Sequence, residues 1–310
     1  MPARDATARG LVLVNLAVAL FGLAGVLGQM TGLPSPLVVL GRAAFGALAL
    51  LAITRLAHVP LRLGRADSVL LVGQGLLLAL HWTTFFQSIA VAGVAVGLLS
   101  FTTFPLFTAA LEPILLGSVP SRVQVIAALC MAVGVGILAP ASSLDSVAVQ
   151  GILWGLTAAM TFALLTVLNR RAGRTVSSLV VSLYQNSVAA MVLMPALLIF
   201  DPQPLWQPDT LLILVILGVC CTAVAHTAFI AGLQQMTAQL ASLLAGLEPV
   251  WGIALGVVML GEIPSARSLA GGAMIVGAAM LPALHAYLTR LLVGPARTAC
   301  CPPLQPPDDV

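Results

Sequence analysis

Long apolar segments, separated by short clusters of Gly, Pro, Ser and Asp, make up almost the whole chain. Ten of these segments have the ~20-residue length of a helix that crosses a bilayer. They lie at 10–29, 36–56, 68–89, 94–117, 122–140, 150–169, 178–200, 210–232, 238–260 and 267–289. The clusters between them are typical of turns. The pattern predicts an all-α polytopic membrane protein with ten transmembrane helices.

The two halves of the chain repeat each other in sequence. Matches occur at a shift of 141 residues early in each half and 144 residues later on: Phe21/Phe162, Leu27/Leu168, Pro105/Pro249, Gly117/Gly261. They predict two five-helix repeats, at 10–140 and 150–285. Because five is odd, the second repeat enters the membrane from the opposite side, so the repeats are inverted. Two inverted copies can form a site near the midplane that opens to each side in turn, as in secondary transporters.

Charged residues are scarce in this chain. It is 60% hydrophobic and 7% charged, with a mean hydropathy of +1.10, whereas soluble domains carry roughly 25% charged residues. All 13 basic residues are arginine, which excludes a phosphate-binding loop with lysine and a Schiff-base lysine. The five cysteines show no metal-ligand spacing. We expect a lipid bilayer and a small-molecule substrate as partners, with no nucleic acid, metal or cofactor.

The arginines are distributed unevenly between the predicted loops. With the N-terminus inside, eleven arginines lie in inner loops and tails, and Arg267 alone lies in an outer loop. Asp201, Asp209 and Glu262 fall outside, as does Asp145. An excess of arginine marks the cytoplasmic side. We predict a multi-pass protein of the cell (inner or plasma) membrane with both termini cytoplasmic. Its Pro-rich end, 294–310, is predicted to be a disordered cytoplasmic tail.

Polar residues recur at helical spacing on the first, third, fourth, sixth, eighth and ninth predicted helices, so we expect these helices to face a shared cavity. The fifth and tenth are almost purely apolar, which predicts peripheral positions. The predicted substrate path consists of Asn15, Gln74, His81, Trp82, Thr84, Ser88, Pro105, Thr108, Thr157, Thr161, His226, Glu248 and Pro249.

Each of these groups also has a structural explanation. Ser and Thr in membrane helices usually bond to their own helix. His81 and His226 are interpreted equally well as packing residues between helices, and Trp82 as a core residue. Glu112 and Arg42 lie near helix ends, where we favour a structural role for the acid and an interfacial position for the arginine.

Glu248 and Pro249 lie in the middle of the ninth segment. A carboxylate at this depth is costly, which favours a functional role. Pro249 lacks an N–H group and leaves the Ala245 carbonyl without its helical partner, so we predict a broken helix beside a polar cavity. Glu248 is predicted to be the proton-sensitive element of a transport cycle. The alternative is that it caps a neighbouring broken helix and never titrates.

Several short motifs resemble those of a known family. They include Leu247-Glu248-Pro249-Val250 and Leu260-Gly261-Glu262 in the second half, and His81-Trp82 and Phe104-Pro105-Leu106-Phe107 in the first. Together with the two five-helix halves, they resemble the drug/metabolite transporter superfamily, EamA type. The resemblance implies a ten-helix inner-membrane carrier with a central cavity, commonly an exporter of amino acids or other small metabolites. Ser118 stands where the family turn often has Glu, which suggests that the role of this acid is lost in the first half.

We therefore predict a secondary transporter, an exporter of a small metabolite such as an amino acid, that works by alternating access and is not an enzyme. A membrane-embedded enzyme is one alternative, but the chain has no His-Glu-x-x-His motif and no second acid opposite Glu248. An assembly subunit is another, but it leaves the polar stripes unexplained. The Gly-x3-Gly motifs permit a homodimer without specifying one.

Overall fold

The computed structural model describes residues 2–138 and 147–293, and the regular structure in these ranges is helical throughout. Asp145 and the predicted tail at 294–310 lie outside the described residues. The helices are α1 Pro2–Met30, α2 Ser35–Leu56, α3 Arg65–Phe101, α4 Phe104–Leu116, α5 Arg122–Leu138, α6 Val147–Ala172, α7 Ser178–Leu193, α8 Ala196–Ile199, α9 Pro208–Gly218, α10 Ala225–Leu233, α11 Ala238–Ala245, α12 Glu248–Leu260 and α13 Ala266–Val293. A 3-10 turn at Gln203–Trp206 precedes α9, and a π-helical turn at Val219–Val224 joins α9 to α10.

Seven helical segments are long and apolar enough to cross a membrane: Ala8–Met30, Ser35–Leu56, Arg65–Phe101, Val147–Ala172, Ser178–Ile199, Pro208–Leu233 and Ala238–Leu260. Three apolar helices are shorter: Phe104–Leu116, Arg122–Gly134 and Ala266–Pro282. The protein is therefore all-helical and multi-pass in the part that the structure describes. The count of ten spans and their inverted layout stay predictions.

The third and fourth predicted segments are not separated by a loop. They follow one another within α3, which changes direction at Gly93, where the backbone is non-helical with φ 82° and ψ 167°. Only glycine adopts this conformation readily. A turn without a loop is invisible in the hydropathy pattern, because apolar residues continue on both sides of the glycine.

Two apolar segments are broken just before a proline. The first is interrupted at Thr102 and Thr103, between α3 and α4, and the second at Gly246 and Leu247, between α11 and α12. In each case the proline, Pro105 or Pro249, lies in the first turn of the next helix, where its missing N–H costs little. The predicted break beside Glu248 is confirmed, and its counterpart lies 144 residues earlier.

The helices pack in corresponding pairs. Helix α1 lies against α10 and α12, and α6 lies against α3 and α4. Helix α2 packs on α7, and α5 packs on α13. Helix α5 exposes the apolar side chains of Ile126, Leu129 and Val133 by more than half, so it lies at the periphery as predicted. This packing leaves α1, α2, α3, α6, α10 and α12 around the centre of the molecule.

Candidate functional site

A small cavity of about 20 Å³ lies where the two broken segments meet the long helices. Its wall combines six aromatic and apolar positions with a cation, an acid and two imidazoles. Phe101 ends α3 just before the first break, and Glu248 begins α12 just after the second. The lining residues are Phe21, Ala24, Arg42, His81, Trp82, Phe85, Phe101, Phe162, His226 and Glu248.

Arg42 extends from α2 into this cavity and is 1% exposed. Its Nε donates to the Thr222 hydroxyl at 2.9 Å, and its Nη2 donates to the Cys221 carbonyl at 3.1 Å. The guanidinium carbon lies 4.1 Å from the centre of the Trp82 ring, within the range of a cation–π contact. Both hydrogen-bond partners belong to the π-helical turn, a distortion that often occurs at functional sites.

The interfacial position expected for Arg42 is therefore wrong. The side chain lies inside the bundle because Trp82 covers its charged plane and the turn after α9 supplies two acceptors. The available signal was an arginine within an otherwise uncharged stretch of α2, because a charge inside a span marks a functional position by default.

Glu248 is the acidic group of the cavity and is 3% exposed. It does not form an ion pair with Arg42, although both line the same space. An ion pair within 4.0 Å is formed elsewhere, between Arg170 and Glu112. A buried acid and a buried base are thus held apart across a cavity. Such groups are costly to bury without a partner, so the arrangement suits a ligand that carries both charges.

The two histidines of the cavity each have one ring nitrogen fixed by the protein. His81 Nδ1 lies 2.9 Å from the Ala158 carbonyl, which only accepts, so in the neutral ring this nitrogen carries the proton. The Gln185 amide nitrogen donates to Gln74 and Asn169, so its oxygen faces His226 Nε2, at 2.8 Å, and accepts from it. In both neutral rings the other nitrogen is therefore an acceptor.

Aromatic rings form the rest of the wall. The His81 ring centre lies 4.9 Å from that of Phe162 and 5.4 Å from that of Phe101. Trp82 meets His226 edge-on at 5.7 Å. Sequence reasoning left Phe21 and Phe162 out of the predicted path, although the repeat matches them to each other. The signal was present in that match, because equivalent positions of two related halves meet at the same central site.

The predicted path residues fall into two groups. His81, Trp82, His226 and Glu248 line the cavity, and Gln74 is linked to it through Gln185. The others lie elsewhere. Asn15 is exposed and bonds to Leu11; Thr84, Thr157 and Thr161 bond to carbonyls of their own helices; Ser88 bonds to Gly151; Thr108 bonds to Phe104 and Ser242; Pro105 and Pro249 occupy helix starts.

Comparison with known proteins identifies the family of the chain. Residues 8–139 and 149–283 both match the model of the EamA-like transporter family. An uncharacterized transporter of Archaeoglobus fulgidus is 29% identical over 131 residues, which are 42% of this chain and 47% of that protein. The match thus spans about half of that relative. The uncharacterized transporter YwfM of Bacillus subtilis is 28% identical over 200 residues, which are 64% of this chain and 68% of that protein.

A protein of known crystal structure is similar in fold. The TM-score is 0.71 at 22% identity, and the alignment covers 91% of this chain and 98% of the other. The long apolar helices and the two matched halves together indicate a multi-pass membrane protein of the transporter kind. The chain belongs to the EamA-like transporter family.

Proposed function

We propose that this protein is a secondary transporter that exports a small zwitterionic metabolite, an amino acid, across the cell inner membrane by alternating access between its two halves. The observation that carries the proposal is that Arg42 and Glu248 line one buried cavity without pairing with each other.

The chemistry of the wall fits both charges of such a substrate. The Arg42 guanidinium has five N–H donors, of which the hydrogen bonds to Thr222 and Cys221 occupy two. The remaining donors can hold a carboxylate in the bidentate geometry that arginine favours. The Glu248 carboxylate and the acceptor nitrogens of His81 and His226 suit the three N–H groups of an ammonium ion. The aromatic wall suits an apolar side chain.

Glu248 also provides a means of coupling transport to protons. A proton and a substrate ammonium group both neutralise this carboxylate, so they compete for it. Pro249 and the break at Gly246–Leu247 place the acid beside an interrupted helix, which can change direction when the charge changes. We propose that protonation of Glu248 releases the substrate.

The corresponding packing of the two halves supports alternating access. Two inverted copies of one unit can exchange conformations and so expose a midplane site first on one side and then on the other. In the proposed orientation both termini are cytoplasmic. Tags at 170–174 and at 201–209 should then be accessible from opposite faces of the membrane.

The test is uptake by proteoliposomes that contain the purified full-length chain. The panel comprises radiolabelled L-amino acids together with amines and monocarboxylates of similar size, each with and without a pH gradient. We expect transport of zwitterions only, and its loss in Arg42→Gln. Arg55→Gln, which changes an exposed arginine at the end of the same helix, is the matched control. Transport of amines or monocarboxylates as efficiently as zwitterions would overturn the proposal.

A further inference from the structure

One end of the second broken segment is held by a carboxylate from the other half. Glu112 Oε2 accepts from the Gln239 N–H at 2.8 Å, and its Oε1 accepts from the Ala238 N–H at 3.1 Å. Oε1 also accepts from Arg170 Nη1 at 2.6 Å. These contacts fix the first turn of α11 and the last turn of α6, which both belong to the second half, to α4, which belongs to the first. We call this set of contacts the Glu112 latch.

The first broken segment is held in the same way at the opposite end of the bundle. Glu262 Oε2 accepts from the Val94 N–H at 3.0 Å, and its Oε1 accepts from Gln29 Nε2 at 2.6 Å. Gly93 turns the backbone so that this N–H is free to be capped. A Cβ atom at residue 93 would lie 3.3 Å from the same carboxylate oxygen. These contacts fix α1 and α3 of the first half to the end of α12 in the second, and we call them the Glu262 latch.

The sequence repeat relates the partners in the two latches. Val94 and Ala238 are 144 residues apart, and Gln29 and Arg170 are 141 apart, which are the two shifts of the repeat. The acids themselves do not correspond, because Glu262 matches Ser118. The suggestion that the first half lacks the role of this acid is therefore wrong, since Glu112 supplies it from one and a half turns earlier in α4. The same contact is made twice, from different positions in the chain.

We propose that the Glu112 and Glu262 latches are the two gates of the transport cycle, each closing one end of the central cavity. The proposal rests on the proposed transporter function. Each latch joins the two halves, and the latches lie at opposite ends of the segments that flank the cavity. Both are formed in this structure, in which the cavity is contracted to about 20 Å³. Opening toward one side requires the halves to separate there, and that movement breaks one latch and leaves the other formed.

The two latches differ in strength. Arg170 gives the Glu112 latch a charge-assisted hydrogen bond, whereas Gln29 gives the Glu262 latch a neutral donor to its carboxylate. Hydrogen bonds between two ionised groups are the stronger kind. The Glu262 latch therefore opens more easily, and the protein at rest opens preferentially at the end that carries Glu262.

The experiment measures which face of the membrane reaches the cavity. Ala24→Cys places a thiol in the cavity wall of a full-length chain whose five native cysteines are replaced. A membrane-impermeant maleimide is then applied to vesicles of either orientation. Glu262→Gln should raise labelling from the face that carries Glu262 by roughly fivefold, the effect of about 1 kcal/mol. Glu112→Gln should raise labelling from the other face instead.

Two further variants keep the test decisive if Glu112→Gln does not fold. Arg170→Gln removes only the partly exposed cation, 24% exposed, and leaves the helix cap in place. Gln29→Arg gives the Glu262 latch a charged arginine donor like the one in the Glu112 latch. The stronger latch should open less often, so labelling from the Glu262 face should fall. Asp209→Asn, an exposed acid outside both latches, is the control and should change nothing.

Opposite shifts for the two latches support the proposal, and shifts toward the same face or none overturn it, in which case the acids only cap helices. The readout does not depend on substrate. Opposite shifts in a chain that transports none of the panel compounds would leave the gates in place and refute the substrate class. Normal zwitterion transport with unchanged labelling would support the substrate class and refute the gates.

Discussion

Glu112 and Glu248 are both buried glutamates beside a broken helix, 2% and 3% exposed, yet their surroundings are opposite. Glu112 receives hydrogen bonds from two backbone N–H groups and from Arg170. Glu248 lines the cavity, and the nearest cation in its wall, Arg42, does not pair with it. The comparison shows that burial alone does not identify a binding residue. What distinguishes the two acids is whether the protein itself supplies their partners.

The difference has a physical basis. A carboxylate removed from water is tolerated when donors replace its hydration, and the start of α11 and Arg170 do this for Glu112. No such set surrounds Glu248, and under the proposed function its charge is compensated by a proton or a substrate that enters the cavity. Neutralising Glu248 should therefore alter transport. Neutralising Glu112 should instead lower stability and change which end of the cavity opens more readily.

The largest effect is expected for Glu248→Gln. This change keeps the shape of the side chain and removes its ionisation, so transport driven by a pH gradient should fall by at least roughly tenfold, or about 1.4 kcal/mol. Exchange of substrate for substrate should continue, because it needs no net proton movement. Both rates are measured in proteoliposomes. If the gradient-driven rate and its pH profile are unchanged, Glu248 has a structural role, as Glu112 does.

Arg42→Lys should have the next largest effect. Lysine keeps the charge but loses the planar fork and the stacking on Trp82, so the KM for substrate should rise by roughly tenfold or more. Maximal velocity should change less, since the charge that attracts the carboxylate remains. Arg55→Lys on the same helix serves as the matched control. Equal KM values for the two variants would show that Arg42 does not bind substrate.

Glu112→Gln should lower stability where Glu248→Gln does not. The loss of the carboxylate weakens three hydrogen bonds, and we expect a cost of about 1–3 kcal/mol, with the Arg170 share small because that side chain is partly exposed. Thermal unfolding in detergent, compared between the two variants and the unaltered chain, measures this. An equal drop for both variants would remove the distinction between a protein-satisfied acid and a ligand-facing one.

The smallest effect is expected from labelling of the histidine positions. Cysteines in place of His81 or His226 should react with a water-soluble thiol reagent, and substrate should slow the reaction. Thr84→Cys lies on the same helix as His81 but outside the cavity lining, so substrate should not protect it. If neither histidine position reacts with or without substrate, both rings belong to the packed core and not to the site.

The sequence by itself determined the class of protein and the broken helices. Hydropathy over segments of about 20 residues identifies the membrane spans. A segment in the bilayer must be apolar and must pair its own backbone groups, whatever helices it packs against. Pro105 and Pro249 interrupt their helices for local reasons that need no tertiary contact. The cost of a charge within a span pointed to Glu248 on the same basis.

Only the tertiary structure decided which polar side chains reach the cavity. Helical spacing shows which polar side chains share one face of a helix, but it does not show whether that face meets the lipid or the protein interior. Asn15 therefore lies outside although it shares the spacing of cavity residues, and Arg42 lies inside although it was assigned to the interface. Glu112 accepts from a backbone N–H that is 126 residues away in sequence, and Glu262 accepts from one that is 168 residues away. Contacts at such separations depend on how the halves pack, which the local sequence does not specify.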